Sequence, residues 1–300
     1  MPTEFLEDIT GEDRNDVSSI LLTSLQKQLK LVLKFLNRVN KQFDEPRNPH
    51  QLRVNARKSL AIIDAVHSLV GGRPLQPIKR KLRKTHKVAG PIRDLDVMSE
   101  NLLRLADQKP DLLDQSLFDA LQQQIELSKV EPYKTLKTIA LRSRKKSWSD
   151  NWSLAIAELK TKNISSSLPE PTDLFHLFLG KSAKVFLTQL DQTTYDIDSL
   201  HALRIKGKHL RYQLEMVQPF IPGDTYQQLH VPVFRVHKTL GQMNDYFTLF
   251  TFLRGSTAPS SLVEYYRKQV GHQVGEFRNS REQGDFEQYS ALLKETFSLE

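Results

Sequence analysis

Slid along itself by 151 residues, the chain meets its own pattern without a gap. His50 falls on His201, Leu52 on Leu203, Arg53 on Arg204 and Arg57 on Lys208. Further on, His86-Lys87 falls on His237-Lys238, Gly90 on Gly241 and Asp94 on Asp245. Roughly ten identities over 47 positions prove little by count, but they cluster at His, Arg, Gly and Asp in one register. Such a repeat is one supersecondary unit used twice.

The periodicity says what that unit is made of. Ile20, Leu21, Leu25, Leu29, Val32, Phe35 and Leu36 step by three and four, the signature of a helix. Asn15 or Asp16 is placed to cap it, and Phe43 to Pro49 breaks it. A second helix is predicted from Pro49 to about Gly71-Gly72. A third starts between Pro74 and Pro77 and is expected to break or kink at Gly90-Pro91, where proline removes a backbone donor. Another runs from about Leu112 to Lys160, with a possible break near Pro132. Residues 163–171 form the clearest linker, since Asn163 to Thr172 is a Ser- and Pro-rich stretch. Helices are predicted again at 172–191, 199–218, 225–253, 259–279 and 284–297. Twelve glycines in 300 residues, no Asn-Gly or Asp-Gly turn and no sustained alternation leave nothing for a sheet. The fold class is all-α. Its divisions are an acidic N-terminus (1–14), a first half (15–162), the linker and a second half (172–300).

Several functions drop out at this stage. No apolar run is long enough to span a bilayer, and the acidic N-terminus lacks the layout of a secretory signal. Zero cysteines remove disulfides, thiolate nucleophiles and zinc–thiolate sites, and fit a cytoplasmic location. Gly180-Lys181-Ser182 resembles the end of a phosphate loop, but Phe175 stands where its first glycine belongs and no strand precedes it. The nine histidines are never three or four residues apart, and core Glu-x-x-His pairs are missing, so no metal and no cofactor is expected.

Charge points to a partner. The net charge is +8, yet residues 47–96 alone carry twelve Lys or Arg against Asp64, Asp94 and Asp96. A second basic block lies between Glu131 and Asp150. At about 100° per residue, His201, Arg204, Lys208 and Arg211 share a sector of roughly 80°, away from Leu203, Leu210, Leu214 and Val217. His50, Arg53 and Arg57 repeat that face, with Lys58 beside them, while Leu52, Leu60, Ile63 and Val66 turn toward the core. Lys79, Arg80, Arg83, Lys84 and Lys87 add a third basic face, again without a nearby carboxylate in sequence. Like charges stacked one turn apart repel, and a polyanion relieves the repulsion. At the equivalent positions of the second half only Arg235 and Lys238 remain, because Arg80 becomes Val231 and Arg83 becomes Phe234. The two faces are therefore expected to differ in strength.

The paired motifs His-x-Leu-Arg-Val-x-x-Arg-Lys at 50–58 and His-x-Leu-Arg-Ile-x-x-Lys-x-Leu-Arg-Tyr at 201–212 resemble the CHAD family, the conserved-histidine α-helical domain. Gly90-Pro-Ile-Arg-Asp-Leu-Asp96 and Leu240-Gly-Gln-Met-Asn-Asp245 match its second signature, and the likeness covers about 15–297. The resemblance implies two four-helix bundles related by pseudo-two-fold symmetry. It also implies a basic channel binding inorganic polyphosphate, with Arg93 added to the cations above and with possible association with polyphosphate granules or a protein partner there. Met243-Asn244 depart from the family's second Arg before Asp. The Glu-x-Glu-x-Lys motif of the triphosphate-tunnel domain often fused to family members is absent, so a stand-alone module is expected.

A non-catalytic polyphosphate binder is the leading expectation. One alternative is an RNA- or DNA-binding helical protein, against which stands the lack of aromatics interleaved with the basic stripes. Another is an enzyme hydrolysing polyphosphate or triphosphates, which needs carboxylates that these segments lack. His50 and His201 are either donors to phosphate or first-turn residues that fix where their helices start. Asp94 and Asp245 are expected to pin a helix restarting after the glycine, or else to orient neighbouring arginines.

Overall fold

The structure is a computed structural model that describes residues 17–41, 45, 47–70, 75–143, 147–161, 171–218 and 221–299. These residues form ten helices and no strand: α1 (Val17–Lys41), α2 (Arg47–Val70), α3 (Gln76–Gln108), α4 (Gln115–Ser143), α5 (Ser147–Thr161), α6 (Pro171–Gln192), α7 (Ile197–Val217), α8 (Gly223–Arg254), α9 (Ser260–Glu282) and α10 (Asp285–Phe297). The acidic N-terminus, the candidate caps Asn15 and Asp16, Gly71-Gly72, residues 163–170 of the linker and Arg144 to Lys146 lie outside the described residues, while Pro171, the last residue of the expected linker, opens α6.

Two prolines test the local rules. Pro91 and Pro132 lie inside α3 and α4, and neither ends its helix. Of the break or kink expected at Gly90-Pro91, the break is corrected: α3 is one continuous helix of 33 residues. Proline in a helix interior costs about 3 kcal/mol. Against this, Ile92, Leu95, Met98, Leu102 and Leu105 are all buried just beyond it, and each contributes about 1.5–3 kcal/mol by leaving water. Pro91 and Lys87 are both exposed. The carbonyl that loses its partner to proline therefore lies on the wet side of the helix, where water serves it.

The chain divides into two compact units. Unit 1 comprises Met1–Gly90, Pro132–Phe178 and Met216–Ile221, and unit 2 comprises Pro91–Glu131, Leu179–Glu215 and Pro222–Glu300. The division passes through α3 and α4 at the two prolines, so each unit draws on both halves of the sequence. In unit 1, α1 packs along α2, burying Leu25, Leu29, Val32 and Leu36 at the predicted helical spacing together with Leu52, Ile63 and Val66. In unit 2, Leu95, Met98 and Leu102 of α3 meet Leu121 and Ile125 of α4 and Leu249, Leu253, Leu262 and Tyr266 of α8 and α9. The Tyr266 hydroxyl donates to the Asn101 carbonyl at 3.3 Å, satisfying the polar atom that its burial would strand. Lys129 bridges Asp96 at 2.9 Å and Glu126 at 2.7 Å in the same unit.

Within unit 2, α7 is fixed at its start and along its flank. Asp196 Oδ1 accepts the Ser199 N–H at 2.9 Å and Ser199 Oγ accepts the Thr194 N–H at 3.1 Å, a reciprocal cap. The Thr194 hydroxyl also donates to Asp196 Oδ2, and this bond together with that from the Ser199 N–H holds the Asp196 carboxyl below its ordinary range. Further along, Gly207 lets α7 close on α6, since a Cβ there would sit 3.2 Å from the Phe186 ring. Gly180 is buried in mid-α6 against Phe297, so Gly180-Lys181-Ser182 forms no loop.

Candidate functional site

In unit 1 the basic residues come from α2 and the first half of α3. Arg80, Arg83, Lys84 and Lys87 are exposed or half-exposed and make no ion pair with any described residue. His50, Arg53, Arg57 and Lys58 are half-buried. Arg53 lies across Gly90: a Cβ at that glycine would meet its Nε at 3.8 Å and its Nη2 at 4.0 Å. Its Nε is buried without a hydrogen-bond partner, an unmet donor of a kind folded proteins rarely leave. Lys79 is corrected from the expectation of a face without carboxylates, for it pairs with Asp64 of α2. Sequence spacing hides this contact because it joins two helices. Lys81 turns away from the exposed set, its ammonium 5.4 Å from the Trp148 ring centre of α5. Desolvation there pushes its pKa down.

In unit 2 the equivalent face is largely compensated from within. His201 sits in the second turn of α7, with Nδ1 3.0 Å from Asn244 Oδ1 of α8. The reciprocal cap already sets the start of α7, so His201 is not what fixes it. Arg211 forms an ion pair with Glu215 at 3.0 Å, donates toward His237 Nδ1 at 3.1 Å and lies 4.9 and 5.7 Å from the Tyr212 and Phe234 ring centres. The expectation that this stack lacks acidic partners is corrected at Arg211. Arg93 is likewise paired, with Glu100 at 2.8 Å. Lys208 is buried at 8% exposure. Arg235 and Lys238 make no ion pair with a described residue, and both are exposed.

Asp94 and Asp245 lie within uninterrupted helices, α3 and α8, so the helix-restart role is overturned. Burial pushes the Asp245 carboxyl above the ordinary carboxylate range. Arg204 and the Asn244 hydrogen bond pull the other way, Asp94 adds to the push, and Arg93 opposes it. Arg204 of α7 thus lies near enough to Asp245 of α8 to favour its charged form.

Sequence reasoning missed three features. Asp64 and Glu215 act as internal anions. Asn244, read only as a departure from the family pattern, is the partner of His201. Phe234 is exposed beside Arg211, Arg235 and Lys238, so aromatics are not absent from the second basic face. That last signal was present in the spacing of Tyr226, His230 and Phe234, four residues apart. Among the described residues no three His, Asp or Glu side chains are placed to hold a metal ion, and no helix is long and apolar enough to cross a membrane.

Comparison with known proteins gives one family match. The family model of the CHAD domain matches residues 23–254. Among solved structures, the CHAD domain of the plant Ricinus communis superposes with a TM-score of 0.63 at 15% identity, covering 93% of this chain and 92% of that one. PptA from Streptomyces chartreusis superposes with a TM-score of 0.53 at 13% identity, covering 95% of this chain and 99% of that one. At such identities the likeness is one of fold. No curated protein sequence matches the chain.

Proposed function

The chain belongs to the CHAD family, and from that premise we propose that it is a non-catalytic module binding inorganic polyphosphate. The observation that carries the reading is the row of cations on α3, Arg80, Arg83, Lys84 and Lys87, standing without carboxylate partners among the described residues. A chain bearing about one charge per phosphate releases counterions when such cations replace them, which makes binding strongly salt-dependent. Arginine adds bidentate bonds to phosphate oxygens. His50, Arg53, Arg57, Lys58 and Lys79 extend the face in unit 1. His201, Arg204, Lys208, Arg211, Arg235 and Lys238, with Arg93, supply the second.

The 151-residue repeat supports a further reading of the architecture, as two four-helix bundles from an internal duplication related by pseudo-two-fold symmetry. The corresponding division is 15–162 and 172–300, joined by the linker. A cytoplasmic module of this kind is suited to association with polyphosphate granules or to presenting polyphosphate to a protein partner.

The test is isothermal titration with polyphosphates of graded length at two salt concentrations, followed by competition with RNA. Affinity is expected to rise with chain length and to fall steeply with salt. Displacement of long-chain polyphosphate by RNA at equal phosphate concentration would refute the reading. Release of orthophosphate with magnesium or manganese present would refute its non-catalytic part.

A further inference from the structure

A column of rings runs along α8 of unit 2. Tyr226, His230 and Phe234 follow at four-residue steps. The first two stack at 4.9 Å between centres with 19° between planes, and the second pair stacks at 5.7 Å and 24°. Tyr226 anchors the column in the core at 6% exposure, whereas Phe234 ends it in solvent at 42%. The guanidinium of Arg211 lies 5.7 Å from the Phe234 ring centre. One helical turn beyond Phe234 stands Lys238, and Arg235 is its neighbour in sequence. Neither makes an ion pair with a described residue. The repeat sharpens the point. Where the first half places Arg80 and Arg83, the second half places Val231 and Phe234, both exposed, the former at 38%.

A face built only for a bare phosphate chain gains nothing from an exposed phenyl ring, because phosphate offers no π surface. A nucleobase does. It stacks on an aromatic side chain whatever its sequence, while phosphates carried on the same ligand reach cations alongside. We propose that unit 2 binds a nucleoside polyphosphate at the exposed Phe234, its base packing on that ring beside the Arg211 guanidinium and its phosphates meeting Lys238 and, from the adjoining flank of α8, Arg235. One exposed ring accommodates one base, which favours a nucleotide over a strand. The inference rests on the reading of this face as anion-binding and assigns the class of anion it prefers.

The experiment is titration of the full chain with ATP and with tripolyphosphate, which carry similar charge, using wild type, Phe234→Ala, Phe234→Trp and the double variant Arg235→Ala/Lys238→Ala. Wild type is expected to bind ATP about tenfold more tightly than tripolyphosphate, the effect of one stacked base. Phe234→Ala should erase that advantage and leave tripolyphosphate unchanged. Phe234→Trp should preserve it, and the double variant should weaken both ligands. Unchanged helicity of each variant by circular dichroism separates binding from folding. Equal affinity of wild type for the two ligands, or an equal loss of both in Phe234→Ala, would overturn the inference while leaving the polyphosphate reading intact. Failure of tripolyphosphate and long-chain polyphosphate alike would remove both. An adenylate 12-mer that displaces ATP more strongly than its nucleotide content accounts for would reassign the face to single strands, and the nucleotide assignment would fall.

Discussion

Unit 1 leaves four cations of α3 without an ion pair among the described residues, and at the equivalent positions unit 2 leaves two, Arg235 and Lys238. On α3, Arg80, Arg83, Lys84 and Lys87 stand without internal counter-ions among the described residues. On the α7–α8 face, Arg211 is held by Glu215 and Arg204 lies near Asp245, and Arg93 of α3 in the same unit is held by Glu100. A cation already paired gives up its carboxylate before it takes a phosphate, so its net contribution to binding is small. A duplicated sequence therefore does not give a duplicated site. What differs is how many charges are left over after folding.

The largest way to collapse that difference is to remove the surplus. Arg80, Arg83, Lys84 and Lys87 changed together to Ala should weaken polyphosphate about a hundredfold or more, at roughly 1 kcal/mol for each cation–phosphate hydrogen bond removed. The logarithmic salt slope should fall by about 0.7 per cation, as for single strands. Circular dichroism should be unchanged, because none of the four side chains is buried. The converse is to restore the surplus in unit 2. Val231→Arg with Phe234→Arg recreates the first-half pattern and is expected to tighten polyphosphate by about tenfold, read by the same titration.

A smaller effect is expected from relieving the internal anion. Asp245→Asn frees Arg204 of a nearby charge, and polyphosphate should bind about two- to fivefold more tightly at neutral pH. The stability signature has a definite sign. A carboxyl whose folded pKa is raised favours the folded state most below the ordinary value of 3.8, and that contribution is lost as pH rises through the raised value. The melting temperature of Asp245→Asn should therefore gain on wild type as pH rises from about 4 to 7, opening a gap of about 2 °C. The smallest effect belongs to Gly90→Ala. Its Cβ would sit at ordinary van der Waals distance from Arg53, 3.8 Å. It would also crowd the ring of Pro91, which disfavours helical backbone at the residue before it. This offsets the gain in helix propensity, so stability should change by less than about 1 kcal/mol while affinity stays within about twofold.

Most of the fold was legible because helical spacing and burial agree. Leu25, Leu29, Val32 and Leu36, or Leu203, Leu210 and Leu214, follow one face and are buried there. Pro91 misleads because the local penalty of proline is visible in sequence, whereas the burial of Ile92 to Leu105 that outweighs it depends on packing partners far along the chain. The basic faces were legible as residue sets on one helix. Their neutralisation was not, since Asp64 meets Lys79 from a separate helix and Asn244 meets His201 from 43 residues away. Glu215 is different. It lies four residues after Arg211, within reach of an ordinary helical pairing rule. The ring column was equally legible in the i, i+4 spacing of Tyr226, His230 and Phe234, although that spacing alone does not tell a stacked column from a core stripe.

The asymmetry is tested most directly by titrating long-chain polyphosphate into two quadruple variants under identical salt. One carries Ala at Arg53, Arg57, Arg80 and Arg83, and the other carries Ala at Arg204, Lys208, Arg235 and Lys238. The first set is expected to abolish binding and the second to weaken it by only about tenfold, with helicity intact in both. Equal losses from the two sets would contradict the claim that the faces differ.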